Sequence, residues 1–423
     1  MSHNDDAVEA RPLSRPIGPA AFLDSLILAV TRKLLRRVTK GRVRLTLPSG
    51  RGGAFGPGCD AEGAAGGVDA TLDVKSFAVF WRAMRRASIG LGESYMAGEF
   101  DTRDLGDLFR FYLDNRTHLE AAGKGLFSVG LRDRIAHRMR ANTRTGSRRN
   151  IRAHYDLGND FYSAWLDRGM TYSSALYEDA ADSLEAAQER KIAAVLAALG
   201  AAPGASILEI GCGWGSFAEA AARAGMKVTG LTLSDEQARY ARDRLARAGL
   251  SGSTDIRFED YRDNDGRYDH VVSIEMIEAV GEENWPRYFE AIHRRLVPGG
   301  TGVIQSITID PAQYARYRRK PDFIQAYIFP GGMLPTVEAM RRNAEAAGLG
   351  FETVTEFGSS YAATLAEWRM RFERAWPAIA ALGFDERFRR MWLYYLVYCE
   401  VGFERGAIEV GLYRVSRPAV GAA

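Results

Sequence analysis

A chain of 423 residues with 46% hydrophobic and 26% charged residues is ordinary globular stock, long enough for two or three domains. Three scattered cysteines, Cys59, Cys212 and Cys399, argue against a disulfide framework or a zinc cluster and fit a reducing compartment; no metal site is expected. The net charge of +3 is unremarkable, so any electrostatic message lies in how charge is distributed.

Met1 to Ala10 carries Asp5, Asp6 and Glu9 with no apolar core behind a basic start, unlike a signal peptide. Residues 1–19 are polar and read as a disordered tail. The apolar run from Ala20 to Val30 is broken by Asp24 and falls short of the roughly 20 residues of a bilayer span. A cytoplasmic or peripheral chain is expected. Residues 20–130 read as a small α+β domain. Arg42 to Pro48 alternates as a strand, Gly50 to Gly67 reads as a loop, and Thr71 to Val74 starts another strand. Phe77 to Met84 and Leu105 to Leu113 carry apolar helical faces. The domain reads either as a packing module or as a lipid-binding one.

Residues 131–153 form a basic linker. Eight arginines between Arg132 and Arg152 face one acid, Asp133, a local formal charge of +7 without His137. Such a run suits a nucleic-acid backbone or an anionic lipid leaflet, where each basic residue contributes on the order of 1 kcal/mol.

The second domain, residues 154–423, alternates helices and strands. Leu184 to Leu199 reads as a helix with Lys191, Ile192, Val195 and Leu196 on its inner face. Strands follow at 207–210, 227–232, 256–258, 268–274 and 301–307, with helices opening at Ser216, Ser234 and Trp285. Ser234 reads as an N-cap with Gln237 three residues on. This spacing predicts a doubly wound α/β fold with a mainly parallel sheet, whose ligands bind beyond the carboxyl ends of the strands. Glu209, Thr232, Asp260, Glu275 and Gln305 fall at or near such ends.

The central stretch is Ile207-Leu208-Glu209-Ile210-Gly211-Cys212-Gly213-Trp214-Gly215, a strand and glycine turn leading into a helix. In a dinucleotide fold the ribose-binding acid comes about twenty residues later. Here Glu209 lies inside the motif, where a pyrophosphate is unwelcome and a sulfonium with an α-amino group is not. The turn therefore points to S-adenosylmethionine rather than NAD.

Several stretches together resemble the cyclopropane-fatty-acyl-phospholipid synthases and their mycolic acid methyltransferase relatives. They are His154 to Tyr162, Met170-Thr171-Tyr172-Ser173, the glycine turn with Trp214, Asp260-Tyr261-Arg262-Asp263, Tyr327 to Pro335, and Tyr361 to Trp368. Gly90 to Gly98 resembles a motif of the smaller N-terminal domain of the phospholipid enzymes. The resemblance implies a class I methyltransferase domain with a smaller N-terminal α+β domain. It places Tyr172, Ser173, Gly211 and Gly213 around the methionine end of the cofactor, Thr232 and Gln237 at the ribose, and Asp260 and Tyr261 at the adenine. Read from the residues alone, Thr232 and Gln237 equally suit a helix cap, and Tyr155 and Tyr172 equally suit a core.

The implied chemistry is attack of a cis double bond on the sulfonium methyl, leaving a carbocation that aromatic faces stabilise by roughly 2 kcal/mol or more when desolvated. Phe161, Tyr172, Phe323, Tyr327, Phe329, Tyr361 and Trp368 are the candidate aromatics. In the family a bicarbonate then acts as base, held by a cysteine, a glutamate, a histidine, an isoleucine main chain and a tyrosine. Glu278, Ile307 and Tyr361 match that pattern, but Ser174 stands for the cysteine and Gln305 for the histidine. Either a bicarbonate held by hydrogen bonds alone or Glu278 itself is expected to take the proton. Loss from the new methyl closes a cyclopropane; a hydride shift with loss from a neighbouring carbon gives a methyl or methylene branch.

The sequence thus reads as a S-adenosylmethionine-dependent C-methyltransferase of unsaturated acyl chains. The expected partner is an unsaturated phospholipid on an anionic surface at the inner face of the cell membrane. A homodimer is left open and no nucleic acid is expected. The rivals are a catalytically silent lipid-binding homologue and a nucleic-acid methyltransferase. The second rests on the arginine run and lacks an Asn/Asp-Pro-Pro-Tyr-type motif.

Overall fold

The structure, a computed structural model, describes residues 19–57, 68–122 and 157–419. The N-terminal tail, the arginine run, Cys59, His154 and Tyr155 lie outside the described residues. Packing divides the chain into two units, Met1–Phe77 with Phe100–Lys124, and Ala78–Glu99 with Gly125–Ala423.

The first unit holds a four-stranded sheet of β1 (Arg42–Thr46), β2 (Gly52–Phe55), β3 (Asp69–Val74) and β4 (Phe100–Asp101), in the order β2-β1-β3-β4. Residues 52–55 correct the expected loop. Leu47 N–H donates to Arg51 O at 2.8 Å and Gly50 turns with φ +83°, which folds this stretch back antiparallel to β1. Its glycines hide a strand whose inward residue is Phe55. Helix α1 (Pro19–Leu35) exposes Phe22, Leu26 and Val30 at four-residue spacing and ends on Arg32 and Lys33.

Helix α2 (Ala78–Met96), kinked at Ala87, groups with the second unit rather than with the N-terminal domain in which the sequence places it. The reason is its second half. Gly92 lies so close to the Phe323 ring that a Cβ would sit 2.3 Å away, and Tyr327 donates a hydrogen bond to Glu93. The glycine motif of α2 and the Tyr327 to Pro335 motif therefore pack together. The first unit closes with α3 (Leu105–Asp114) and α4 (Arg116–Ala122). Between them Asn115 is buried and fully used, accepting from Thr39 and Lys40 N–H at 3.0 and 3.1 Å and donating to Lys40 O and Phe111 O at 2.7 and 2.9 Å.

The second unit is built on a seven-stranded sheet of β5 (Ser206–Ile210), β6 (Lys227–Thr232), β7 (Thr254–Phe258), β8 (Tyr268–Ile274), β9 (Leu296–Ile309), β10 (Gly350–Glu356) and β11 (Ile408–Ser416). Its order is β10-β11-β9-β8-β5-β6-β7. The five strands from β9 to β7 are parallel, and β11 runs antiparallel between β9 and β10. This is the mainly parallel, class I arrangement the sequence predicts. Ile207, Leu208, Glu209 and Ile210 are all buried, which suits a central strand covered on both faces. The register pairs Ile210 with both Leu231 and Ser273, so the turns after β5, β6 and β8 meet at one edge. Residues 157–205 add α5 (Asn159–Ser163) and α6 (Leu184–Leu199). The parallel strands are joined through α7 (Ser216–Arg223), α8 (Asp235–Arg247) and α9 (Trp285–Arg295). After β9 come α10 (Pro311–Tyr317) and α11 (Val337–Ala346), and the long α12 (Gly358–Ala381) and α13 (Glu386–Glu404) lie between β10 and β11.

Asn115→Ala leaves four backbone groups without their partner. An unsatisfied buried group costs roughly 1–3 kcal/mol, so the variant should unfold at clearly lower urea than wild type. A midpoint shift near zero would show that water replaces the amide.

Candidate active site

The glycine turn lies at the carboxyl end of β5. Gly211 and Cys212 N–H both donate to Leu231 O, at 3.0 and 2.9 Å, which fastens the turn to β6. Gly211 has φ +84° and its Cβ would fall 2.4 Å from Met276 Cγ, so packing within the protein requires glycine there. Gly213 differs. It has φ +52°, yet a Cβ on it would meet nothing within 4 Å, so its face is open for a ligand to approach the backbone. Helix α7 begins directly after the turn and aims its free N–H groups toward the same edge.

Glu209 is buried and its Oε2 has no hydrogen-bond partner. Burial pushes its pKa up to about 8, with Lys191 pulling the other way. Lys191, buried on α6, donates to Ser173 Oγ at 2.7 Å; burial lowers its pKa to about 8 against the pull of Glu275, Asp167 and Glu209. An acid with one unpartnered oxygen beside an open glycine face fits a cationic ligand such as S-adenosylmethionine, whose positive end would favour its ionised form.

Tyr172, Ser173 and Ser174 lie on a loop shaped by the buried Asp167, which accepts from Gly169 and Thr171 N–H at 2.6 and 2.8 Å. Gln188 Nε2 holds Ser173 O at 2.8 Å. The Tyr172 hydroxyl is 2.9 Å from that of Tyr395, and its ring packs on Trp368 with centroids 5.3 Å apart. On β6 and α8, Thr232 Oγ1 donates to Gln237 Oε1 at 2.8 Å, while Ser234 Oγ accepts from Gln237 N–H at 3.3 Å. Ser234 is thus the N-cap the sequence predicts, but the Gln237 side chain turns to Thr232 instead of closing a capping box. Asp260 is paired with Arg262 at 2.6 Å, and Tyr261 packs edge-on against Tyr288 at 5.8 Å.

A further polar cluster surrounds a residue that the sequence reading left out of the site, Glu275, just past β8. Its Oε1 accepts from Ser174 N–H at 2.9 Å and from Gln305 Nε2 at 2.8 Å, and its Oε2 accepts from Tyr361 OH at 2.7 Å. Its backbone has φ +51°, a region that costs a non-glycine residue roughly 1–3 kcal/mol. Its N–H donates to Gln305 O at 2.8 Å. Burial raises its pKa, opposed by these donors and by Lys191. Ser174 Oγ turns away to Ala175 O at 2.8 Å. Glu278 faces elsewhere, with Oε1 accepting from Ile307 N–H at 2.6 Å and Ser306 Oγ at 3.0 Å. Burial, then the charge of Glu275, pushes Glu278 up to about 8.

The expected aromatics fall into separate groups. Tyr172, Trp368 and Tyr361 are contiguous, with Tyr361 6.1 Å from Trp368. Phe329 reaches them through Tyr395 at 6.0 Å. Phe323 and Tyr327 stack at 5.1 Å, and Phe323 also packs on Tyr394 at 4.4 Å. Phe161 is fully buried among Tyr162, Trp165 and Trp392 and serves the core.

This geometry agrees with the similarities of the chain. Residues 142–412 match the family model described as mycolic acid cyclopropane synthetase. The chain belongs to that family. It is a S-adenosylmethionine-dependent methyltransferase. It is 40% identical over 417 residues to the tuberculostearic acid methyltransferase of Mycobacterium tuberculosis, covering 93% of this chain and 92% of that one. It is 37% identical over 355 residues to the cyclopropane-fatty-acyl-phospholipid synthase of Escherichia coli, covering 82% and 87%. A crystal structure of a family member, the mycolic acid cyclopropane synthase complexed with SAH and CTAB, is 30% identical with a TM-score of 0.59, over 64% of this chain and 98% of that one.

Glu209 makes stability depend on pH with a defined sign. Folded, it holds its proton to about pH 8; unfolded, it ionises near 4.5. Between those values the folded state binds more protons, so this group's contribution makes stability fall as pH rises. Glu209→Gln removes that slope, and in cofactor-free calorimetry its melting temperature should gain on wild type steadily from about pH 5 to 8. A difference that is constant with pH would mean that Glu209 is already ionised in the fold.

Proposed function

We propose that the enzyme methylates a double bond in an unsaturated acyl chain of a membrane phospholipid. The observation that carries this reading is the pairing of an open glycine turn with contiguous aromatic rings and neutral hydrogen-bond donors gathered on carboxylates. Such a site suits a substrate that turns cationic as it reacts. Bound S-adenosylmethionine would supply an electrophilic methyl on a sulfonium. Glu209 would meet its positive end, Gly211 and Gly213 would let it approach the backbone, and Tyr172 and Ser173 would flank it. Thr232 and Gln237, with Asp260 and Tyr261, would hold the nucleoside. Tyr172, Trp368 and Tyr361 would offer aromatic surroundings to a developing cation and keep water from it. Names among the relatives support a lipid substrate, and the product is either a methyl- or methylene-branched chain or a cyclopropane. A bicarbonate at Ser174, Glu278, Gln305, Ile307 and Tyr361 is not favoured, because the Ile307 N–H is given to Glu278 and the Gln305 and Tyr361 donors are given to Glu275.

Cells expressing the protein should yield phospholipid acyl chains heavier by one CH₂ on mass spectrometry, with NMR separating branch from ring. Gly213→Val should abolish both this product and S-adenosylmethionine binding by calorimetry while circular dichroism stays unchanged. Undiminished affinity would remove the turn from the cofactor site.

Among the described residues no helix is long and apolar enough to cross a membrane. The apolar row of α1 with its basic end, and the arginine run in the sequence, support docking to an anionic surface. Sedimentation with phosphatidylglycerol vesicles should bring the protein down, with binding that weakens as salt rises. Equal binding to neutral phosphatidylcholine vesicles, or tighter binding to duplex DNA, would contradict this.

A further inference from the structure

We propose that Glu275 is the built-in base of the reaction, taking through its own carboxylate the proton that the methylated acyl chain must lose. This rests on the acyl-methylating reading above. Three donors from distant parts of the chain converge on this one side chain: the Ser174 N–H, the Gln305 amide and the Tyr361 hydroxyl, at 2.9, 2.8 and 2.7 Å. All three are neutral, so they stabilise a carboxylate without forming an ion pair that would quench its basicity. The cluster adjoins the cofactor turn. Ser273, two residues before Glu275, pairs with Ile210, and the Met276 side chain packs on Gly211. Ser174 directly follows Ser173, which Lys191 holds. The left-handed backbone at Glu275 sets the carboxylate among these donors at a conformational cost, a pattern that suits function more than packing.

Glu278 is the rival base. Its Oε1 accepts from Ile307 N–H and Ser306 Oγ, its buried Oε2 has no partner, and burial with the charge of Glu275 pushes its pKa up to about 8, whereas both oxygens of Glu275 are met by donors that favour a carboxylate. The side chain at 305 then has a clear use. Ser174 contributes only its N–H, and Gln305 contributes an uncharged amide, which is what an internal carboxylate needs.

The step balances. The double bond's π pair forms the new C–C bond to the methyl, and the C–S pair stays on sulfur, leaving a neutral thioether and a carbocation. When a hydride moves from the methylated carbon to its neighbour, the cation shifts to the methylated carbon. A methyl proton then passes to a Glu275 oxygen, and its C–H pair becomes the double bond of a methylene branch. Without the shift, the same proton transfer closes a cyclopropane.

The test uses purified full-length enzyme, S-adenosylmethionine and dioleoyl phosphatidylglycerol vesicles in bicarbonate-free buffer, with acyl products read by mass spectrometry. Wild type is expected to turn over equally with and without added bicarbonate. Glu275→Gln should lose about 10²–10⁴-fold in turnover with unchanged calorimetric affinity for S-adenosylmethionine. Glu275→Gly, which frees both the donors and the strained backbone, should be as slow but recover at least tenfold with added bicarbonate or formate. A merely structural role would lower cofactor affinity and give no anion rescue. The proposal is overturned if Glu275→Gln stays within tenfold of wild type, if Glu275→Gly is not rescued, or if wild type needs bicarbonate. No CH₂ gain by wild type would instead overturn the acyl-methylating reading on which it rests.

Discussion

Burying charge is the constraint around which this site is arranged. Lys191 is almost wholly enclosed, and the acids that feel its charge are Glu275, Asp167 and Glu209. A lone ammonium in such a place is costly unless acids surround it, and several enclosed acids are costly without more positive charge than it supplies. The protein relieves this locally. Asp167 is satisfied by two N–H groups and Glu275 by three neutral donors, whereas Glu209 is left with an oxygen that nothing in the fold answers. Glu209 meets the constraint by holding its proton to about pH 8, and a cationic cofactor bound beside it would favour its ionised form.

Much of this was legible in the sequence. The five parallel strands, the glycine turn and the helix opened by Ser234 follow from apolar runs, glycine spacing and capping residues, all of them local signals. Strands β10 and β11 escaped, although Phe351-Glu352-Thr353-Val354-Thr355 is rich in strand formers and Val410, Leu412 and Tyr413 are buried along β11. They lie either side of two long helices, so no strand-helix spacing flagged them. The strand at 52–55 was hidden by glycines, and α2 was assigned to the wrong neighbour because its partners, Phe323 and Tyr327, lie more than two hundred residues away.

Glu275 shows where sequence reading stops in physical terms. It was visible as an acid at a strand end, as were Glu209 and Asp260. What distinguishes it is a positive φ and the convergence of Ser174, Gln305 and Tyr361, and neither property has a local signature. Matching Glu278 to a family position identified the same turn, and a three-residue offset after β8 sends the two carboxylates to different donors. Gly213 is the converse case. The sequence marked it for ligand approach, and the open space beside it is consistent with that reading.

A tethered carboxylate and a diffusible anion ask different things of a site. A diffusible base must be recruited, needs an entry path, and brings water with it to a centre where a carbocation forms. A carboxylate on the chain carries no recruitment entropy and can be held in one pose by its donors, which raises its effective concentration by orders of magnitude. It also fixes the direction from which a proton is removed, and so narrows the choice among the hydrogens of a cation that can lose several. On this argument Glu275, Ser174 and Gln305 form one functional unit: the two neutral donors fit an internal carboxylate, and that carboxylate makes a charged side chain at position 305 unnecessary.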